Sequence, residues 1–359
     1  MLCTVFVGTV SFATPVIQSE MQERRYYSNR KAIKQTPRYF LKRRGESGIL
    51  LKMKKATKKF LTASEYFEKR FGGKVYKLAL SSSDTCPNRD GRVGVGGCTF
   101  CAEGSGGFAE RGESATEMIE RAKVRVSAKI KKGGYIAYFQ SFTSTYAPLS
   151  RLERLFTEAI TRADVVALSV ATRPDCLPSD VIELLSRLNA IKPVFVELGL
   201  QTMHERTAQA INRCYPLQAY DEACATLRAR GINVITHVIL GLPGESREDM
   251  LDTVRHVCAT ADGIKLQLLH VLKGTELAES YARGEFETLG MEEYADIVCD
   301  ALALLPEGMV VHRITGDAPK RLLVAPLWSA DKKKTLNYLT ARITERFESY
   351  DKNSVNNKR

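Results

Sequence analysis

From Lys74 onward, short apolar runs alternate with amphipathic stretches, and this alternation predicts a parallel sheet with crossover helices. The predicted strands are Lys74–Leu80, Tyr135–Gln140, Val165–Val170, Val194–Gly199, Asn233–Ile239 and Gly263–Leu269. The predicted helices are Ala115–Lys131, Leu149–Thr161, Ser179–Leu188, Gln218–Arg230 and Arg247–Ala261. Because a closed barrel uses eight units, about six predict a partial (β/α)6 TIM-like barrel or an open doubly wound sheet. In both folds the functional residues follow the carboxyl ends of the strands.

The formal charge of +12 on 359 residues suggests a nucleic-acid binder, but the positive charge lies at the two ends of the chain. Residues 1–60 carry a net +11 and residues 332–359 a net +5, which leaves −4 on residues 61–331. Hydrophobic residues make up 44% of the chain, enough for a sizeable core. The body of the protein is therefore a slightly acidic globular unit with basic extensions.

The basic lead, residues 1–52, shows no helical or strand period and is predicted to be a disordered extension. Its apolar run, residues 5–17, is too short to span a bilayer and lacks the basic start of a signal peptide, so a cytoplasmic protein without a membrane span is expected. An organellar transit peptide, or a true start at Met53, are the alternatives. The core domain is then residues 53–290.

The remaining residues, 291–359, are predicted to form a C-terminal extension with a basic tail. This extension should supply a helix and a strand at Val310–Arg313, and should cap the open side of the barrel.

Three of the nine cysteines lie in one glycine-rich loop after the first predicted strand. Cys86, Cys98 and Cys101 have the spacing C-x11-C-x2-C in the run C-P-N-R-D-G-R-V-G-V-G-G-C-T-F-C. Three soft thiolates suit zinc or an iron–sulfur cluster. A structural zinc needs four ligands, and no fourth Cys or His is nearby, whereas a [4Fe-4S] cluster held by three thiolates leaves one iron open. The iron–sulfur interpretation is therefore favoured.

The cysteine loop, V-E-L-G-L-Q-T from Val196 and T-H-V-I-L-G-L-P-G-E from Thr236 resemble the radical S-adenosylmethionine (SAM) superfamily. Within it, the chain looks most like a bacterial family related to the radical-SAM domain of the elongator catalytic subunit. The loop spacing departs from the superfamily's commonest C-x3-C-x2-C. The resemblance implies a radical SAM enzyme in which Cys86, Cys98 and Cys101 hold a [4Fe-4S] cluster and SAM binds the open iron.

The resemblance also implies the reaction and its partners. SAM is cleaved reductively to a 5′-deoxyadenosyl radical, which abstracts hydrogen from a substrate, and the elongator relationship points to RNA or a nucleotide-derived molecule. A reducing partner such as flavodoxin or ferredoxin is implied as well.

The implied SAM contacts lie at the strand ends: Phe100, Gln140, Ser141, Arg173, Glu197, Gln201 and Gly241. Phe100 would pack near the adenine, and Gln140 and Ser141 would meet the amino group. The planar fork of Arg173 suits the SAM carboxylate. Glu197 and Gln201 would bind the amino acid or ribose hydroxyls, and Gly241 would allow the backbone to approach the adenine.

Each contact has a structural alternative. Glu197 is equally expected as a buried carboxylate paired with a lysine, Arg173 as the cap of a helix end, and Gly241 as a turn residue. His270 and Lys273 follow the sixth strand and are candidate catalytic residues facing the substrate, while His237 within a strand is expected in the core. The competing function is a nucleic-acid-binding protein with a structural iron–sulfur or zinc site, suggested by the basic ends.

Overall fold

The computed structural model describes residues 60–102, 109–126 and 133–356, and its centre is an eight-stranded sheet in which every neighbouring pair of strands is parallel. The strands of this sheet are β1 (Leu61–Thr62), β2 (Val75–Leu80), β3 (Gly134–Phe139), β4 (Val165–Thr172), β5 (Val194–Gln201), β6 (Asn233–Leu240), β7 (Gly263–Leu268) and β9 (Val310–Arg313). Their order is β1-β9-β7-β6-β5-β4-β3-β2. β1 and β2 stand at opposite edges, so the sheet is a curled, open half-barrel.

Ten helices accompany the sheet in the described residues. They are α1 (Ala63–Phe71), α2 (Ala115–Val126), α3 (Leu149–Thr161), α4 (Ser179–Asn189), α5 (Glu205–Ala210), α6 (Leu217–Ala229), α7 (Arg247–Thr260), α8 (Glu276–Ala282), α9 (Met291–Leu304) and α10 (Lys332–Asn356). Two of them begin with a capping box, Thr62 with Glu65 at α1 and Ser246 with Asp249 at α7. None of the described helices has the length and apolar character needed to cross a bilayer.

The predicted α/β fold is confirmed, and all six predicted strands are present with ends within two residues of the expected ones. The four predicted helices after residue 148 are present within one residue, and α2 begins at Ala115 as expected, while residues 127–131 of that prediction lie outside the described residues. The predicted strand Val310–Arg313 pairs with β7 and β1, so this part of the C-terminal extension lengthens the sheet toward its open side. The basic lead, residues 1–52, also lies outside the described residues.

Alternation along β5 shows how each strand serves two surfaces. Val194, Val196, Leu198 and Leu200 belong to the large apolar core beneath the helices. Phe195 belongs to a separate cluster on the inner, concave face. The same period places Glu197 and Gly199 on that inner face, and a bulge in the pairing with β6 follows between Gly199 and Gln201.

The amino-terminal end of the half-barrel is closed by α1, which sequence reasoning missed. This helix contacts β1 and β9 at one edge of the sheet and β2 at the other. Its Phe67 packs against Phe195 with ring centroids 5.6 Å apart and against His312 at 5.8 Å. Ile136, Ala167 and Ile235 complete this apolar layer. The half-barrel is therefore closed at this end, opposite the edge where the strands finish.

A two-stranded antiparallel ribbon follows β7, and sequence reasoning missed this feature too. It is formed by β8 (Val271–Leu272) and β10 (Leu323–Ala325). Val271 and Ala325 pack there with Ile239, Leu242 and Leu269 in a second apolar cluster beyond the end of β6.

Candidate active site

The cysteine loop begins six residues after the end of β2 and is held together by backbone hydrogen bonds. The amides of Arg89 and Asp90 donate to the Cys86 carbonyl at 2.8 and 3.2 Å, and the Cys101 amide donates to the Cys98 carbonyl at 2.9 Å. All three thiols are free and half-buried. The loop thus presents them at the carboxyl edge of the sheet, where the chemistry of barrel folds takes place.

Asn88 accounts for the glycine at position 94 of this loop, and sequence reasoning overlooked Asn88 although it stands in the C-P-N-R run. Its side chain is fully buried and its amide donates to the Asn212 carbonyl at 2.6 Å, with Nδ2 lying 3.6 Å from Cys98 Sγ. A Cβ at Gly94 would lie 2.1 Å from Asn88 Oδ1. The loop can fold around Asn88 only if position 94 has no side chain.

The three thiols belong to one electrostatic group. Burial raises the pKa of Cys98 to about 12, negative charge on Cys101 and Cys86 adds to the rise, and Arg173 opposes it. The Cys98 thiol therefore resists ionisation by itself, and bound iron would offset both its burial and the repulsion from its neighbours. The donor set therefore fits a metal cluster.

The arrangement of the three thiols can be compared with what a single metal ion and a cluster each require. In the parts of the chain that the structure describes, no three Cys, His, Asp or Glu side chains converge as one metal ion requires. In a [4Fe-4S] cluster each thiolate binds a different iron, so its ligands do not meet at one point. Ligands spread over one loop are compatible with a cluster of this kind.

Arg173 lies beside the thiols, but its guanidinium already has protein partners. Its Nε and Nη2 donate to the Asp175 carboxylate at 2.9 and 2.8 Å, and Nη1 donates to the Arg213 carbonyl at 2.9 Å. It also lies 4.9 Å from the centroid of the Tyr215 ring. In this structure the Arg173 guanidinium, which was predicted to bind the SAM carboxylate, binds the carboxylate of Asp175 instead.

Gln140 and Ser141 follow β3 and lie next to the end of β2, because the Gln140 amide donates to the Leu80 carbonyl at 3.1 Å. Ser141 is buried and Gln140 is half-buried. Both residues therefore share the sheet edge from which the cysteine loop leaves.

Phe100 and Gly241 lie near the end of β6. Phe100 packs against the second apolar cluster, which includes Ile239 and Leu269. Gly241 has a φ of +91°, and a Cβ there would lie 2.9 Å from Leu289 Cδ1. The backbone conformation and the packing of Leu289 account for the glycine, while Phe100 provides an apolar wall.

Gln201 ends β5 in a left-handed conformation, with a φ of +66°. Its Oε1 is buried and accepts no hydrogen bond from the described residues. A Cβ at Gly199 would lie 2.9 Å from Gln201 Nε2, so the glycine makes room for this amide. A strained residue with an unsatisfied acceptor at a strand end is a candidate ligand contact.

Glu197 lies two residues before Gly199 and is fully buried at the centre of a polar cluster on the inner face. Its Oε1 accepts from Lys77 Nζ at 2.5 Å and from Ser169 Oγ at 2.7 Å. Its Oε2 accepts from Tyr138 at 2.9 Å, from His237 Nε2 at 2.8 Å and from Lys265 Nζ. We call the six residues of this cluster the charged layer: Lys77, Tyr138, Ser169, Glu197, His237 and Lys265.

The contacts of Glu197 in the charged layer match the expectation of a buried carboxylate paired with a lysine. A carboxylate has about four lone-pair positions, and five donors already meet this one. Burial raises the pKa of the Glu197 carboxyl, but the positive charges of Lys265 and Lys77 outweigh this effect and hold the pKa well below its usual range. His237 is an inner-face residue that contacts this carboxylate. Sequence reasoning missed Lys77 and Lys265 because each is a single charged residue within an apolar strand.

His270 and Lys273 lie at the ribbon that follows β7. His270 Nε2 is 3.1 Å from Ser329 Oγ, and burial lowers the pKa of its imidazole to about 4, so it is neutral at pH 7. A Cβ at Gly316 would lie 2.6 Å from His270 Cε1, which ties the ring to the C-terminal segment. Lys273 is exposed, and its backbone amide donates to the Leu322 carbonyl.

In a comparison with known proteins, two protein-family models match consecutive parts of the chain. The model of the radical SAM superfamily matches residues 80–257, and that of the radical SAM C-terminal domain matches residues 261–345. The chain is 45% identical over 292 residues to the protein YtqA of Bacillus subtilis, covering 80% of this chain and 91% of YtqA. It is 37% identical over 266 residues to YhcC of Escherichia coli, covering 74% of this chain and 85% of YhcC.

More distant similarity reaches the elongator proteins. A tRNA uridine(34) acetyltransferase of Methanocaldococcus infernus is 28% identical over 185 residues, which cover 50% of this chain and 33% of the acetyltransferase. The structure of the Elp3 of that archaeon, with residues 1–46 deleted, has a TM-score of 0.54 at 20% identity, covering 70% of this chain and 58% of that one. The chain thus spans just over half of the Elp3 structure, which supports the fold alone. On its sequence, the chain belongs to the radical SAM superfamily, whose members are enzymes that use a [4Fe-4S] cluster and SAM.

Proposed function

We propose that Cys86, Cys98 and Cys101 hold a [4Fe-4S] cluster and that the chain cleaves SAM reductively to act on an RNA or nucleotide-derived substrate. The observation that carries the proposal is the adjacency of three free, half-buried thiols on one loop at the carboxyl edge of the half-barrel. When bound, the reduced cluster supplies the electron that cleaves SAM to a 5′-deoxyadenosyl radical, which takes a hydrogen atom from the substrate.

The residues of this chain position the reactants. The amide of Asn88 donates to the Asn212 carbonyl and lies 3.6 Å from Cys98 Sγ, so it ties the cysteine loop to the Asn212 segment beside Cys98. Phe100 offers an apolar face suited to the adenine ring. The unsatisfied Oε1 of Gln201 suits a hydroxyl or amino donor of SAM. Gln140 and Ser141 are proposed for the SAM amino group because they share the sheet edge with the cysteine loop.

The other predicted site residues keep narrower roles. Arg173, held by Asp175, contributes positive charge beside the thiols, which favours the thiolate forms that bind iron. His270 and Lys273 stay proposals for the substrate side. The RNA-derived substrate is supported by the similarity to the archaeal tRNA uridine(34) acetyltransferase, over half of this chain. A flavodoxin- or ferredoxin-type reductant and a cytoplasmic location are proposed with it.

Anaerobic reconstitution tests the proposal. The full chain is loaded with iron and sulfide, reduced with dithionite in the presence of SAM, and assayed for 5′-deoxyadenosine by mass spectrometry. Alanine at Cys86, Cys98 or Cys101 should abolish both the cluster absorbance and cleavage. Cys176→Ala is the matched control, because this buried thiol lies near Cys86 but outside the loop, and it should retain both. A fully loaded cluster that never cleaves SAM contradicts the proposal.

A further inference from the structure

The charged layer carries more positive than negative charge. Lys77 and Lys265 both pair with Glu197, the one carboxylate of the layer. His237 is neutral at pH 7 because burial and Lys265 lower its pKa to about 4. The nearby Arg313 is paired with Asp317 at 3.2 Å, so this pair adds no unpaired charge to the layer. Burial lowers the pKa of Lys265 to about 7, so near pH 7 the layer carries a net charge between zero and +1, and Lys77 lies on its exposed side.

Solvent reaches the cation but not the carboxylate. The side chain of Glu197 is 0% exposed, whereas that of Lys77 is 25% exposed. His237, beside it, is 18% exposed. The ammonium of Lys77 has three N–H groups, and in the described residues Glu197 is its hydrogen-bond acceptor, with the Tyr138 and Phe67 rings at 4.6 and 6.0 Å. N–H groups of Lys77 are therefore open to an additional anionic partner.

The depth of the charged layer in the half-barrel limits which anions can reach it. Lys77 lies three residues before the end of β2, so the layer is roughly 10 Å below the edge where the cysteine loop begins. Phe67 and the apolar layer close the half-barrel beneath it. A polymer backbone cannot pass through a closed end, but the end of a side arm can reach the layer from above.

We infer that the charged layer, through Lys77 with Lys265, binds a terminal carboxylate or phosphate of the substrate and so fixes its depth in the half-barrel. This inference rests on the proposed function for the direction from which substrate enters. Glu197 acts as the positioning residue, because its carboxylate accepts hydrogen bonds from both lysine side chains and so holds them in place. A carboxylate and a phosphate share this recognition, since both are oxyanions that pair with ammonium groups.

Anion binding is measured by calorimetric titration of the full chain with sodium acetate and with inorganic phosphate, chloride keeping the ionic strength constant. The titrations are made with and without the reconstituted cluster, so their outcome does not depend on SAM cleavage. We expect a dissociation constant on the order of 1 mM for the better anion, and the preference between the two identifies the terminal group.

Lys123→Met is the matched control for Lys77→Met. Lys123 is also a half-buried lysine, 20% exposed, that pairs with carboxylates and lies 5.2 Å from a tyrosine ring centroid, but it lies on α2 outside the half-barrel. Lys77→Met should weaken anion binding about tenfold or more, because it removes the accessible charge. Lys123→Met should leave it unchanged. Equal affinity in Lys77→Met and the wild type, or no binding to the wild type, overturns the inference.

Glu197→Gln supplies a test in the opposite direction. This change keeps the shape of the side chain and removes the negative charge, so the anion should bind more tightly, an effect that misfolding cannot imitate. If Lys77→Met does not fold by circular dichroism, Glu197→Gln and Lys77→Arg decide the matter. Lys77→Arg should retain binding, and a Glu197→Gln affinity no higher than that of the wild type overturns the inference.

Discussion

Replacing Glu197 with alanine should destabilise the chain far more than removing a surface carboxylate. The change leaves Lys77 and Lys265 without their shared partner and takes an acceptor from Tyr138. Breaking a buried ion pair from one side costs about 3–5 kcal/mol, because the remaining charge stays desolvated. Domains are stable by only about 5–15 kcal/mol, so this loss is a large share of the total.

The assay is urea unfolding of the full chain at pH 7, followed by far-ultraviolet circular dichroism. Glu153→Ala is the matched control, since Glu153 pairs with Arg187 at 2.7 Å and both side chains are more than half exposed. An exposed pair contributes about 0–1 kcal/mol. If Glu197→Ala shifts the free energy of unfolding no more than Glu153→Ala does, the charged layer is not the buried ionic cluster inferred from its geometry.

The same variant should show a characteristic pH dependence. Burial lowers the pKa of Lys265 to about 7 in the folded chain, and Glu197 opposes this fall. Between about pH 7 and 10 the unfolded chain therefore binds more protons at this lysine, so its contribution to stability rises with pH. Without Glu197 the folded pKa should fall further, and the penalty should be largest near pH 6 and shrink toward pH 9, where the lysine is neutral in both proteins. A penalty independent of pH would contradict this assignment.

Two further predictions concern the cysteine loop. Asn88→Ala removes the amide near Cys98 Sγ and should move the reduction potential of the reconstituted cluster to more negative values, measured by a redox titration followed by electron paramagnetic resonance. An unchanged potential would show that the amide does not act on the cluster. Gly94→Ala should lose most of its bound iron, because its Cβ would overlap Asn88 Oδ1, whereas Gly73→Ala, with open space at Cβ, should load normally. Adding Asn88→Ala to Gly94→Ala should restore loading, and a failure to do so would place the obstruction elsewhere.

The βα units could be predicted from the sequence because each carries its own period. The strand and helix patterns are local, and the helices end where the apolar period ends. The element that closes the half-barrel could not be predicted in this way, since β1 has two residues and α1 has nine. Their placement depends on Phe67 meeting Phe195, a contact between distant parts of the chain.

The sequence predicted which types of residue form the site better than it predicted which of them contact one another. The period of two predicts Glu197 and Gln201 on one face of β5. It does not reveal that Lys77, 120 residues away, and Lys265, 68 residues away, converge on Glu197. For Arg173, by contrast, the local run A-T-R-P-D already contained the partner. Asp175 is two residues further along the chain, within reach of the Arg173 guanidinium.

The spacing of three residues along β5 implies a minimum length for the substrate. Phe195 belongs to the closed end, Glu197 to the charged layer and Gln201 to the edge proposed for SAM. Glu197 and Gln201 pair with Ile235 and Val238 of β6, which are three residues apart because of a bulge between Gly199 and Gln201, so the two levels are about 10 Å apart at the usual rise. If the anionic end of the substrate rests on the charged layer, the carbon that loses hydrogen lies near the edge, most of that distance away. An acid of two or three carbons is too short to span the gap, so such acids should bind as inhibitors, and the substrate should carry its anionic group on an extended arm.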